Sequence, residues 1–259
     1  MTWTPELVDQ VRELLRTNRP FVSVTVVETA GSAPQIRGAH MLVLDDGSAL
    51  GTVGGGRFEW EMMRVARECL AEGRTRLVCN DLGKDLGMAC GGAMTAFLEP
   101  HLPAERVIVY GAGHCARAVA PLLVRAGFRV RVVDPRAGFA VPGAFPPGTD
   151  LAEADPATDA AQTVRAEDWV LVMTHEHAHD LFTVRAALPR APRFLGVMAS
   201  RRKAQKIRQT LEDEGFQREQ VDRLHMPVGI DIGAVGPEEI AVSIAAQLIA
   251  QRRSPITEP

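Results

Sequence analysis

The sequence predicts an α/β protein in two parts, an N-terminal α+β unit followed by a C-terminal unit built on a parallel sheet. Three observations lead there. In the first hundred residues, strand-length apolar runs are separated mainly by hairpin and glycine turns. Pro100 and Pro103, with polar residues between them, mark a linker. Beyond it strand and helix patterns alternate, as a parallel sheet requires. The expected boundaries are residues 1–101 and 105–253.

The elements follow in order. Thr4-Pro5 starts a helix with a capping hydroxyl and a proline at its first position, and Leu7, Val11, Leu14 and Leu15 form its apolar stripe. Phe21 to Glu28 reads as a strand, and two apolar runs around Asp45-Asp46-Gly47-Ser48 read as a hairpin. A helix follows Gly54-Gly55-Gly56 and runs to about Glu72, burying Phe58, Met62, Val65 and Cys69. Two more strands, "RLVCN" and "AMTAFLEP", bracket a third glycine turn. In the second half, strands are expected at about 107–110, 129–134, 169–174 and 193–197. One helix begins near Ser200, and a last one opens at Gly236-Pro237 with Ile240, Ile244 and Leu248 on its buried side. Residues 138–166, rich in Pro, Gly, Ala and Asp, are expected to cover the sheet irregularly.

Composition limits the function. A chain of 259 residues, 46% hydrophobic and 24% charged, can bury a full core. A net charge of −3 and 5% aromatic residues argue against a nucleic-acid surface. No apolar run approaches the roughly 18 residues of a membrane span. Glu6 and Asp9 stand where a signal peptide would be basic and then apolar, so a cytoplasmic location is expected. Cys69, Cys79, Cys90 and Cys115 show no CxxC spacing and are expected to be free thiols, Cys69 and Cys79 as small buried packing residues.

The candidate chemistry lies in the turns. Val107 to Tyr110 runs into Gly111-Ala112-Gly113-His114-Cys115-Ala116 and then a helix, the strand, glycine turn and helix of a Rossmann-like dinucleotide-binding unit. Gly111 supplies the tight turn, Gly113 lets backbone amides approach a pyrophosphate, and Ala116 takes the close-packing position. Asp134 ends the next strand, roughly twenty residues on, where a carboxylate binds ribose. In the N-terminal unit, "AGSAPQIRGA", "GTVGGGRFE" and "GMACGG" are glycine turns that either only turn the chain or cradle an anion with successive amides, and three together favour a site. Cys90, flanked by Gly91 and Gly92, has the donors and freedom to present a thiolate, or it simply packs. "THEHAHD" places His175, His177, His179 and Asp180 at the end of a sheet strand, as metal ligands or, for His175, as a polar ligand contact. The basic stretch from Ser200 to Arg208 either neutralises phosphate or is a solvated helix face; Arg37 and Asp231 are further polar contacts.

At these residues the sequence resembles the XdhC/CoxI family along nearly its full length. The matching stretches are "GSAPQIRGAHMLV", "GTVGGGRFE", "GMACGG", "VIVYGAGHCARAVA", "VVDPR", "THEHAHD", "GVMASRRK" and "PVGIDIGAVGPEEIAVSIAAQLIA". The resemblance implies an N-terminal accessory domain joined to a Rossmann domain, commonly as a homodimer. It implies a non-catalytic chaperone that binds molybdenum cofactor, as molybdopterin or its dinucleotide form. Such a protein shields the cofactor while a cysteine desulfurase supplies sulfur, then delivers it to an apo-molybdenum hydroxylase such as xanthine dehydrogenase. Cys90 matches the cysteine of the family's second glycine motif and inherits a cofactor or molybdenum contact. Arg57 stands where some relatives have a cysteine after the triple glycine, which leaves the client enzyme open.

The expected cofactor-binding residues are therefore Gly31, Ser32, Arg37, Gly54, Gly55, Gly56, Cys90, Gly91, Gly92, Gly111, Gly113, His114, Asp134 and His175. Two other readings stay open: an NAD(P)-dependent oxidoreductase using Gly111, Gly113 and Asp134, and a metal hydrolase built on the three histidines. The first lacks an evident proton donor beyond His175.

Overall fold

Thr4 accepts the amide of Leu7 and Pro5 opens the first turn, so the chain begins with helix α1, Pro5–Thr17. The computed structural model describes residues 3–88 and 91–253, with His177 described by its backbone alone. Leu7 and Leu14 are buried against Phe21, Leu42 and Leu44, and Val11 is half-buried beside them. Leu15 departs from the expected stripe and is 59% exposed, because one residue along a helix turns a side chain about 100° from Leu14.

The strands β1 (Phe21–Ala30), β2 (His40–Leu44), β3 (Ala49–Gly51), β4 (Arg76–Asp81) and β5 (Ala93–His101) pair antiparallel in the order β3-β2-β1-β5-β4. Helix α2, Gly56–Glu72, lies on one face and buries Phe58, Met62, Val65 and Cys69 against Val22, Val24, Val26 and Leu98. Helix α1 covers part of the other face. Cys79 was expected to pack, but it is exposed, on the outward side of the edge strand β4.

In the second unit, β6 (Arg106–Tyr110), β7 (Arg129–Asp134), β8 (Asp150–Glu153), β9 (Trp169–Val172), β10 (Phe194–Val197) and β11 (Leu224–His225) form a parallel sheet in the order β11-β10-β9-β6-β7-β8. Numbered from β6, this is the 3-2-1-4-5-6 order of the dinucleotide-binding fold. Helices α3 (His114–Arg125) and α8 (Pro237–Arg253) pack on one face around Val107, Val109, Trp169 and Leu171. Helices α4 (Pro156–Thr163), α5 (His177–Ala187) and α6 (Arg201–Asp213) cover the other, and α7 (Arg218–Asp222) adds Val221 to that core.

The stretch 138–166 is more regular than expected: it holds β8 and α4, the latter capped by Asp155 on the amide of Thr158. Both are short, and their polar composition hides their period. Among the described residues no helix is long and apolar enough to cross a membrane. The chain divides into two compact units, Met1–Pro103 and Ala104–Pro259.

Candidate functional site

Strand order places a crevice in the second unit. After β6 the chain leaves through α3 to one face of the sheet, and after its neighbour β9 it leaves through α5 to the other. That reversal opens the space beyond the carboxyl ends where α/β sheets bind ligands. The two glycines of the first turn have different jobs there. Gly111 holds φ at +111°, and a Cβ on it would lie 2.3 Å from the carbonyl oxygen of Met173, so only glycine lets this turn pass the end of β9. A Cβ on Gly113 would meet nothing within 4 Å, which leaves open space at the amino end of α3. The helix has no side-chain cap, and the amides of Gly113, His114, Cys115 and Ala116 find no acceptor among the described residues. Four free donors on a positive helix end suit a phosphate. Cys115 offers no thiolate for it: burial pushes its thiol up, Glu238 adds to the shift, and the side chain packs against the core.

Asp134 does not play the part expected of it. It is fully buried, and one oxygen accepts the amide of Ala112 at 2.7 Å and Nη2 of Arg136 at 2.8 Å. The other accepts the amide of Arg136 at 3.0 Å and its Nε at 2.9 Å. An ionised carboxylate has about four lone-pair sites, and these four bonds fill them, so none is left for a ribose hydroxyl. Burial alone would push the carboxyl up; the hydrogen bonds from Arg136 and from the Ala112 amide outweigh it and hold it below the ordinary range. Asp134 is the clamp of the glycine turn. The exposed end of the pair is Arg136, whose guanidinium stacks 3.6 Å from the centroid of Phe139. Motif spacing points to the acid and passes over the arginine two residues later.

The β9 to α5 turn is held in the same way. Asp180 is buried and accepts the amide of Thr174 at 3.0 Å and its hydroxyl at 2.6 Å, while its other oxygen pairs with Lys203 of α6. Asp180, named above among possible metal ligands, is thus committed to tying two strand ends together, and Lys203 is paired rather than solvated. The rings of His175 and His179 meet edge to face at 5.2 Å, each within 4 Å of Glu176: 3.5 Å for His175 and 3.7 Å for His179. The histidine trio includes His177, whose side chain lies outside the described residues. Among the described residues no three His, Cys, Asp or Glu side chains gather as a metal site. Between α5 and α6 lies a groove of about 870 Å³, walled by Leu181, Met198 and Ile207 and rimmed by Arg202 and Lys206. Neither cation makes an ion pair among the described residues.

In the first unit the three glycine turns converge. A Cβ on Gly92 would lie 2.4 Å from the carbonyl oxygen of Ala30 and 2.5 Å from that of Ser32, so the third turn passes directly against the first. Gly54 of the second turn lies against Pro34, and Arg57 donates to the carbonyl of Leu86 at 3.0 Å. The second turn, however, is no empty cradle. Its amides at Val53 and Gly55 already donate to Glu59, at 3.2 and 3.1 Å, and the Thr52 hydroxyl donates to the same oxygen at 2.5 Å. Gly54 donates to Thr52. An anion at Gly54-Gly55-Gly56 would have to displace the protein's own carboxylate. Ser32, Arg37 and Gly91 are exposed around this cluster. Cys90 lies outside the described residues.

Fold and site together define a two-unit protein whose second unit carries a Rossmann-type crevice with an uncapped, phosphate-ready helix end. The XdhC Rossmann domain model matches residues 107–248, and the XdhC and CoxI family model matches residues 14–80. The chain belongs to the XdhC/CoxI family. It is 35% identical over 246 residues to the uncharacterized protein YqeB of Escherichia coli, covering 93% of this chain and 45% of that one. It is 28% identical to a protein of Bacillus subtilis named as a probable xanthine dehydrogenase component, covering 61% and 46%. With the molybdenum cofactor insertion chaperone PaoD of Escherichia coli it shares 25% identity, over 93% of this chain and 86% of PaoD. The chain thus spans under half the length of the first two relatives. A crystal structure of a xanthine dehydrogenase from Bacillus halodurans shares the fold, with a TM-score of 0.55 at 24% identity over 95% of this chain and 97% of that one.

Proposed function

We propose that this chain is a molybdenum-cofactor chaperone. It receives the cofactor by its phosphate end, protects it while sulfur is introduced by a cysteine desulfurase, and passes it to an apo-molybdenum hydroxylase of the xanthine dehydrogenase type. The observation that carries this reading is the open amino end of α3, where four amides lack an acceptor among the described residues and no side chain stands over Gly113. The naming of PaoD as an insertion chaperone supplies the cargo. His114 opens α3 and His175 follows β9, and both are proposed as polar contacts; the apolar groove with Arg202 and Lys206 lies between α5 and α6, offering walls to a ring system. The cargo carries its own reactivity at molybdenum; the chain contributes binding, orientation and exclusion of water. The convergent glycine turns, with Gly31, Ser32, Arg37, Gly91, Gly92 and Cys90, are proposed as the first unit's own contact surface for the cofactor, and the homodimer as the working form. A nicotinamide oxidoreductase is not favoured: for NAD, Asp134 has no lone pair left for ribose, and for either nicotinamide cofactor the support from PaoD, named as a molybdenum cofactor insertion chaperone, points to another cargo.

The test is to express the chain in a host that makes the cofactor and to measure both pterin fluorescence and molybdenum in the purified protein. Gly113→Val is the informative variant, since its Cβ enters open space at an ordinary φ of −75°, and unchanged circular dichroism is the check that the fold holds. Loss of two charge-assisted hydrogen bonds, about 1.5–3 kcal/mol each, predicts cofactor retention lower by well over about tenfold. Wild-type protein that carries no cofactor and binds none when it is added would end the reading.

A further inference from the structure

Arg136 is held in place and yet not used up. Asp134 fixes it through its amide, Nε and Nη2, and Phe139 covers one face of its guanidinium. Of its five N–H donors the remaining three have no acceptor among the described residues. Arg117 stands on the same ring at 5.9 Å and donates only to the carbonyl of Ala112, at 3.3 Å, with no ion pair among the described residues. The tip of β7 therefore carries one carboxylate, saturated, and two guanidinium groups. In this fold that position meets the ribose of a bound nucleotide: an open carboxylate accepts its hydroxyls, whereas an arginine accommodates a phosphate attached to them.

We infer that the β7 tip is a phosphomonoester subsite in which Arg136, held by Asp134 and supported by Arg117, selects a phosphorylated end over an unsubstituted ribose diol. A dianionic phosphate accepts the free fork of Arg136 bidentately, as guanidinium geometry favours. A ribose diol placed there finds the Asp134 carboxylate already saturated, so it gains no acceptor from the residue that serves it in an NAD site. Combined with the chaperone reading, on which this last step alone rests, a cofactor whose phosphate sits on the α3 amides brings the unsubstituted nucleoside of the dinucleotide form to Arg136, so the subsite disfavours that form relative to the phosphate-terminated one.

The experiment is calorimetric titration of the full chain with 5′-AMP and with adenosine 2′,5′-bisphosphate, which differ by one phosphate. The bisphosphate is expected to bind at least about tenfold more tightly, as one good charge-assisted pair provides. Arg136→Lys, which keeps the charge but loses the fork, is expected to reduce the ratio of the two affinities several-fold. Equal affinities, tighter binding of 5′-AMP, or no binding of either ligand by the wild-type chain would each overturn the subsite, and this comparison stands even where the variant misfolds. Chromatography of pterin released from the co-purified protein decides the last step: predominance of the phosphate-terminated form supports it, predominance of the dinucleotide form overturns it. Protein without any cofactor ends the chaperone reading, and the nucleotide comparison still judges the subsite.

Discussion

At the scale of single residues, the chain repeatedly satisfies its turns with its own carboxylates: Asp134 on Ala112, Glu59 on Val53 and Gly55, Asp180 on Thr174. Asp134 has the most at stake, being fully buried with four accepted bonds. Removing one partner of such a buried pair leaves the other uncompensated, so Asp134→Ala is expected to cost about 3–5 kcal/mol in urea unfolding. Its hydrogen bonds keep the carboxyl acidic in the folded chain. A carboxyl with a lowered folded pKa contributes stability that is present above its unfolded value of about 3.9 and is lost as pH falls through the folded one. The unfolding midpoint should therefore drop below about pH 4 in the wild-type chain, with a shallower acid limb in Asp134→Asn. Spacing in the sequence found this acid correctly and mistook its task. What decides the task is Arg136, whose bond to Asp134 depends on how the chain curls after β7, and no spacing rule records that.

At the scale of elements, the pattern located the starts of α1, α2, α3, α6 and α8, and the long strands, within a residue or two, because each buries a regular stripe. It missed β8 and α4, whose sequences "DLAE" and "PATDAAQT" carry too few apolar residues to show a period, and the two-residue β11. The glycine turns were legible as turns, but which glycines are structural and which are open was not. Gly111 and Gly113 make the point, two residues apart in one motif. Gly111→Ala meets both a φ of +111° and a carbonyl oxygen 2.3 Å from its new Cβ. Strain of about 1–3 kcal/mol in the backbone adds to about 1–3 kcal/mol for overpacking, so a clear loss of thermal stability is expected. Gly113→Ala should melt with the wild-type protein by circular dichroism, since its Cβ has free space. Equal effects of the two substitutions would contradict the division of labour between them.

At the scale of the whole molecule, the α/β class, with an antiparallel sheet first and a parallel sheet after it, follows from the sequence, while the strand order does not. Alternating strands and helices permit several parallel orders, and the reversal between β6 and β9 that opens the crevice arises from which face each crossover takes. Each unit closes its own core. In the first, α2 covers one face of the antiparallel sheet and α1 part of the other, and Arg76 pairs internally with Glu68 and Glu72. In the second, α3 and α8 cover one face and α4, α5 and α6 the other, while Arg106 anchors Asp168 below the sheet's amino ends. A unit that closes its own hydrophobic core has what it needs to fold alone. Expressed separately, residues 1–103 and 104–259 are each expected to unfold cooperatively in urea. The second should bind adenosine 2′,5′-bisphosphate within about threefold of the full chain, because Gly113, Asp134, Arg136 and Phe139 all belong to it and their hydrogen bonds and ring contacts stay within it. Retention of molybdenum cofactor should fall in both fragments if the glycine turns of the first unit supply a contact surface of their own. A 104–259 fragment that folds, binds the bisphosphate and keeps the cofactor as well as the full chain would remove those turns from the site.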